Sequence, residues 1–298
     1  MKKVFSIFLL LICSLSSFSQ DSTNKWTFSV GLGFEPITVY NISGTDTSFV
    51  NSLSVAPGFS IRHSNGIGLT YSPKFVTGGA SPGIYMHILT FGIEQYDKEV
   101  FNYTFNYSHY FFTNTTGVPY SPINNEISGS ISYKKPWLRP SFSAGIGFGN
   151  NTETTPSTSA YDVGVSIGVS HGFSWDAKQL SFSVSPSLVL NGGTSQYYSL
   201  LGFSKYVGRN KNFTKVIKDS KAAAAATRSA NRRTGTTATT TTANTESFNF
   251  SNIELGLESS VEVGSFSMRP SVSLYFPVGS SAGSGLSAYW GLSFGYHF

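Results

Sequence analysis

The chain has 298 residues, a formal net charge of +5, and only 12% charged against 15% aromatic residues. A soluble protein of this size usually carries about 25% charged residues. A single cysteine, Cys13, leaves no material for a disulfide framework or a Cys-ligated metal site downstream of it.

The first residues, MKKVFSIFLLLICSLSSFSQ, read as a secretory leader over 1–19. Lys2 and Lys3 form a basic start. Val4 to Cys13 is an apolar core too short to span a bilayer, and Ser17-Phe18-Ser19 puts small residues at a cleavage site. Ile12 stands before Cys13, where a lipid-attachment motif needs a small residue, so Cys13 is not read as a lipidation site. After the leader, no apolar run approaches the ~20 residues of a membrane helix. A membrane would therefore be crossed by strands, and only closed barrels satisfy strand backbones in lipid.

Twelve stretches alternate apolar and small or polar residues with a period of two, the pattern of a strand with two different faces. The first, 25–35, puts Trp26, Phe28, Val30, Leu32 and Phe34 on one face and Thr27, Ser29, Gly31 and Gly33 on the other. The next three are 50–62 (Leu53, Val55, Phe59, Ile61 outward), 66–75 (Ile67, Leu69, Tyr71) and 83–95 (Tyr85, Leu89, Phe91, Ile93). The fifth, 100–112, alternates Phe101, Tyr103, Phe105, Tyr107 and Phe111 with Asn102, Thr104, Asn106 and Ser108. Then come 126–134, 138–148, 161–175, 180–190, 248–261 and 266–276. The last, 285–298, alternates Leu286, Ala288, Trp290, Leu292, Phe294, Tyr296 and Phe298 with serines, glycines, Tyr289 and His297.

The connections alternate in length. Those after odd strands are long: 36–49, 77–82, 113–125, 149–160, 191–247 and 277–284. Those after even strands are tight: 63–65, 96–99, 135–137, 176–179 and 262–265. The segment 196–207 is an alternative hairpin extension that would change the count by two. Aromatic residues cluster at both strand ends: Trp26, Tyr133, Trp137, Trp175, Tyr296 and Phe298 at one, Phe34, Tyr85, Phe111, Tyr161 and Phe250 at the other. Aromatic girdles and short-turn/long-loop asymmetry mark barrels that sit in lipid. A soluble β-sandwich would show the alternation but would not require the other two.

The closing stretch GLSAYWGLSFGYHF, ending on Phe298, resembles that of Gram-negative outer-membrane β-barrel proteins, whose last strand typically ends on an aromatic read by the barrel-insertion machinery. The Ser/Thr/Asn/Tyr-rich character and the leader ending in SFSQ are similar to Bacteroidota members. The resemblance implies a cell outer-membrane location. It also implies an all-β fold: one antiparallel transmembrane β-barrel of about 12 strands over 20–298, with short periplasmic turns and longer extracellular loops. Phe298 would be its C-terminal insertion signal, and outer-membrane lipid its surroundings, with lipopolysaccharide a further candidate contact.

The inward face is expected to be small and polar, with charges at Arg62, Lys74, Glu94, Asp162, Glu254, Glu258 and Arg269. Arg269 is placed to meet Glu254 or Glu258 on the neighbouring strand. One segment, 205–245, is strongly basic: Lys205, Arg209, Lys211, Lys215, Lys218, Lys221, Arg228, Arg232 and Arg233 stand against Asp219 alone, a net +8. The leader's two lysines account for +2 of the chain's +5, so the rest of the mature chain is −5. Ala222–Ala226 favours a helix, and the Thr-rich stretch after Arg233 cannot build a core. The segment is expected outside the cell, as a solvated loop, a lipopolysaccharide contact or a basic plug. Export leaves a nucleic-acid partner without opportunity.

No catalytic or metal constellation emerges. His63, His87, His109, His171 and His297 are scattered. His63-Ser64-Asn65 are adjacent in a turn and cannot form a nucleophile–base–orienter triangle. His87 and His109 share the lipid-facing parity and read as interfacial side chains. There is no phosphate loop, HExxH or calcium motif, and no cofactor is expected. The expectation is a non-enzymatic, porin-like barrel: a narrow channel or transport-associated pore for small hydrophilic solutes. The alternative is a closed structural or interaction barrel presenting its loops to a surface or envelope-complex partner.

Overall fold

The computed structural model describes residues 25–43, 46–78, 82–96, 99–113, 123–151, 158–177, 180–194, 248–278 and 286–298. The expected leader, the whole basic segment and the alternative hairpin at 196–207 lie outside the described residues. Alternating apolar and small residues give a strand two unlike faces, and closing the sheet hides one face and removes every edge. The chain does this with β1 (Trp26–Ser43), β2 (Asp46–His63), β3 (Ile67–Val76), β4 (Gly83–Gln95), β5 (Phe101–Phe112) and β6 (Ile123–Tyr133). It continues with β7 (Arg139–Asn151), β8 (Thr158–Ser170), β9 (Phe173–Ala177), β10 (Leu180–Gly193), β11 (Asn249–Val263), β12 (Phe266–Pro277) and β13 (Ser287–His297).

Sequential neighbours pair antiparallel, β8 and β9 excepted, and β13 returns to β1 with Ser29 opposite His297 and Phe34 opposite Leu292. The seam continues to the last residue, where the Phe298 amide donates to the Phe28 carbonyl at 2.9 Å. β8 and β9 are one wall position broken at His171–Gly172: both pair with β10, Ser170 opposite Ser187 and Phe173 opposite Val184. The barrel is therefore twelve-stranded, as the alternation predicts, with its eighth stave in two pieces.

Several details differ from expectation. The first long loop, expected over 36–49, is instead ladder: β1 and β2 pair without a break from Trp26↔His63 to Ser43↔Asp46. β6 begins at Ile123 rather than 126, with a register shift between Ile123 and Asn125 that leaves Asn124 as an extra residue. A second bulge lies where Lys74 faces Met86 but Phe75 faces Ile84, so Tyr85 is the extra residue. Bulges of this kind re-aim side chains.

The exterior carries large apolar side chains in the open: Phe91 is 57% exposed, Phe105 60%, Ile167 56% and Trp290 47%. A water-exposed surface of that kind would be costly, whereas hydrocarbon accepts it. Tight turns close one end. Gly66, at φ 93°, closes the β2–β3 turn, where a Cβ would lie 2.5 Å from the Glu94 carbonyl.

Candidate functional site

The inward residues form three levels along the barrel axis. At the short-turn end they are charged and paired. Arg62 Nη2 lies 2.7 Å from Glu94 Oε2, and its Nη1 donates to the Gly66 carbonyl at 2.8 Å. Arg269 bridges Glu262 at 3.2 Å, a half-exposed pair. This corrects the expected pairing of Arg269 with Glu254 or Glu258. The ladder explains it: Met268 stands opposite Val261 and Ser267 opposite Glu262, so Glu262 is within reach, while Glu258 faces Ser271 and Glu254 faces Tyr275. Glu262, read as a turn residue, is in fact within β11. Arg139 also faces inward here. A Cβ at Gly172 would lie 3.2 Å from its Nη1 and 3.5 Å from Ser185 Oγ, and Ser185 is the ladder partner of Glu258.

The middle level is made of hydroxyls and small residues. Because neighbouring strands present matching inward positions, serines and threonines meet across the ladder: Ser29 with Ser60 at 2.5 Å, Thr90 with Ser108 at 2.6 Å, Thr104 with Ser130 at 2.8 Å and Ser183 with Ser260 at 2.7 Å. Cross-strand hydroxyl pairs of this type stabilise a sheet by a few tenths of a kcal/mol each, up to about 1. Inward glycines make room for larger partners. At Gly92 a Cβ would lie 2.0 Å from Asn106 Oδ1 and 2.3 Å from the Phe105 carbonyl.

The long-loop level is bulky and acidic. Its inward side chains include Tyr85, Tyr110, Tyr275 and Tyr289 with Ile37, Val76, Met86 and Ile123, all at most 5% exposed. Among them Lys74 pairs with Glu35, which also accepts a hydrogen bond from Tyr289 Oη at 3.1 Å. Tyr110 Oη donates to Glu126 at 2.9 Å, Thr194 Oγ1 to Asp162 at 2.7 Å and Ser273 Oγ to Glu254 at 2.8 Å. Asn191 continues the belt, accepting from Ser166 at 2.6 Å and donating to Asn252 at 2.9 Å. Below Glu254, Glu258 stays on the inward face opposite Ser185 and Ser271.

All seven expected lumen charges face inward, but they do not gather in one place. Arg62, Glu94 and Arg269 lie toward the short turns, and Lys74, Asp162 and Glu254 toward the long loops. Tyr85, expected in the outer aromatic girdle, is a correction. The bulge turns it into the wall, where its hydroxyl meets Ser54 at 3.1 Å and it is 1% exposed. Glu35 and Glu126 were missed. Glu35 has the parity of Ser29 and Gly31, yet it ended a predicted strand beside Pro36. Glu126 has the parity of Ser128 and Ser130. Parity alone would also have placed Tyr110 and Tyr275 inside, beside Tyr289, which the closing stretch already puts on the polar face.

His87 and His109 sit on the outer surface as expected. His87 Nδ1 meets Tyr71 Oη at 2.8 Å, and His109 Nδ1 meets Asn125 Oδ1 at 2.8 Å. His63 Nδ1 accepts from the Asn65 amide within its turn. Among the described residues, no three His, Asp or Glu side chains group closely enough to hold a metal ion. The residues of the basic segment lie outside the described residues.

No protein-family model matches the chain, and no curated protein sequence matches it. Solved structures do. The NanC porin matches at TM-score 0.44 and 6% identity, over 90% of this chain and 98% of that one. The KdgM porin matches at 0.41 and 9%, over 91% and 99%. LpxR from Salmonella typhimurium matches at 0.41 and 8%, over 91% and 100%. At these values the likeness carries no argument about activity, and the barrel stands on its own ladders.

Proposed function

We propose that the chain is an outer-membrane barrel that acts as a narrow channel, or transport-associated pore, for small hydrophilic solutes. The observation that carries this is the lumen wall. A closed twelve-stranded barrel needs only small inward side chains to leave a water path, and its middle level is lined by hydroxyls and glycines rather than by packed apolar groups. The apolar exterior fits hydrocarbon, and the loop asymmetry fits insertion from the periplasmic side. Phe298, zipped to β1, suits an insertion signal read during assembly. The Ser/Thr/Asn/Tyr-rich character and the SFSQ leader favour a Bacteroidota source, and the basic 205–245 segment favours contact with anionic lipopolysaccharide groups. The role is read as non-enzymatic, since the inward polar groups pair as wall rungs rather than as a nucleophile with a base.

A second reading has its own observation. The buried tyrosines and aliphatic residues of the long-loop level suit a closed barrel that serves as a structural or interaction module. Liposome swelling separates the two. A channel admits small sugars and excludes large oligosaccharides. Liposomes that hold the folded barrel and swell no faster than empty ones would favour the closed module.

A further inference from the structure

We infer that the lipid face over β5 to β7 binds a membrane lipid whose acyl chain is amide-linked. The inference does not depend on whether the lumen conducts. Tyr107 and His109 on β5 and Asn125 on β6 share the outward side, between the apolar belt at Phe105 and the long-loop girdle at Phe111. Tyr107 Oη lies 2.7 Å and His109 Nδ1 2.8 Å from one atom, Asn125 Oδ1. An amide oxygen only accepts, so both groups donate to it and the His109 proton sits on Nδ1. Nε2 of His109 is then a bare acceptor, and no described residue bonds to it. Asn125 Nδ2 gives one hydrogen to Asn124 Oδ1 at 2.6 Å, and reaches the Phe148 carbonyl only at 3.5 Å. A bond that long is at the outer limit. The cluster thus holds an open acceptor beside a weakly engaged donor. An amide presents the complement: an N–H for His109 and a carbonyl for Asn125. An ester has no N–H and leaves His109 unmet, and in hydrocarbon no bulk water makes up the difference.

A second observation lies on the same strands. Gly129 on β6 stands opposite Ala144 on β7, both on the outward side, and these small residues floor a hollow of about 500 Å³. Phe105, Ile127, Ile131 and Phe142 wall it. Gly129 is four residues closer to the midplane than Asn125, about 13 Å along β6 by the rise of a strand. A chain hung from an amide at His109 and Asn125 therefore runs past Ile127 and into the hollow. Aromatic girdles sit at headgroup level. Phe111, two residues beyond His109 on β5, thus puts the headgroup above the cluster and the linkage at it.

The test is native mass spectrometry of the full chain in detergent, titrated with two probes that share a phosphocholine headgroup and a myristoyl chain. N-myristoyl sphingomyelin carries that chain on an amide, and dimyristoylphosphatidylcholine carries it on an ester. The wild type should retain the amide lipid several-fold more than the ester lipid. His109→Leu should remove that preference while its heat-modifiable gel shift stays intact. Ala144→Phe fills the hollow with an apolar group and should lower retention of the amide lipid several-fold. If His109→Leu does not fold, the wild-type preference and Ala144→Phe decide. Equal retention of the two probes by the wild type overturns the inference. A preference that His109→Leu leaves unchanged overturns the amide contact, and retention that Ala144→Phe leaves unchanged overturns the seat in the hollow. A mass of two chains with no lipid bound gives this face to a second copy and overturns the inference as well.

Discussion

Leu257→Arg tests the face assignment most sharply. Leu257 lies near the middle of β11, is 48% exposed, and stands opposite Pro186 on one neighbour and Val272 on the other. An arginine on the lipid face of a barrel costs about 2–4 kcal/mol at the midplane. That lowers the folded-to-unfolded ratio roughly 30- to 1,000-fold, since about 1.4 kcal/mol is tenfold. Ser183→Arg is the control. Ser183 faces the lumen and loses one hydroxyl rung with Ser260, worth at most about 1 kcal/mol. Urea titration of both variants in lipid vesicles, read by the heat-modifiable gel shift, gives the two costs. A Leu257→Arg cost within about 0.5 kcal/mol of the Ser183→Arg cost would refute the alternation as a map of lipid and lumen.

Other consequences follow from the wall. Lys74→Met leaves Glu35 uncompensated in a nearly buried position and should destabilise by about 3–5 kcal/mol. Arg269→Gln breaks a half-exposed pair and should cost about 1 kcal/mol or less; urea midpoints compare the two. Gly92→Ala pushes a Cβ to 2.0 Å from Asn106 and should impair assembly, whereas Gly58→Ala meets nothing within 4 Å and should be tolerated. The folded yield of each, read as the heat-modifiable band, tests both. Deleting 209–242 leaves every residue of the described ladders in place and should leave that band unchanged.

The barrel was legible because alternation, loop length and aromatic placement are separate signals that agree. β5 is the clearest case. Phe101, Tyr103, Phe105, Tyr107 and Phe111 are all at least 40% exposed, while Thr104, Asn106 and Ser108 are buried. What period-two reading could not supply was any break in the period. Tyr85 keeps the outward parity in the sequence, and only the ladder shows that the extra residue beside Met86 turns it inward. The break at His171–Gly172 was invisible for the same reason, because parity resumes at Phe173 and Trp175 on the far side. The inward charges were legible as facing the lumen but not as partners. Which acid an arginine reaches depends on register, and Arg269 reaches Glu262 because Ser267 stands opposite that residue. The reading of the wall as small held for the middle level and failed at the long-loop level, where four tyrosines share the inward side.

Cys13 is the chain's single cysteine, so a Cys13→Ala background makes the most direct test clean. Single cysteines at Ser143 and Ser293, inward, and at Ile146, 41% exposed on the outer face, can be challenged in native membranes with a small charged thiol reagent that does not enter lipid. A water-filled lumen predicts that Ser143→Cys and Ser293→Cys are modified while Ile146→Cys is protected by hydrocarbon. Modification of Ile146→Cys with protection of both lumen positions would contradict the account.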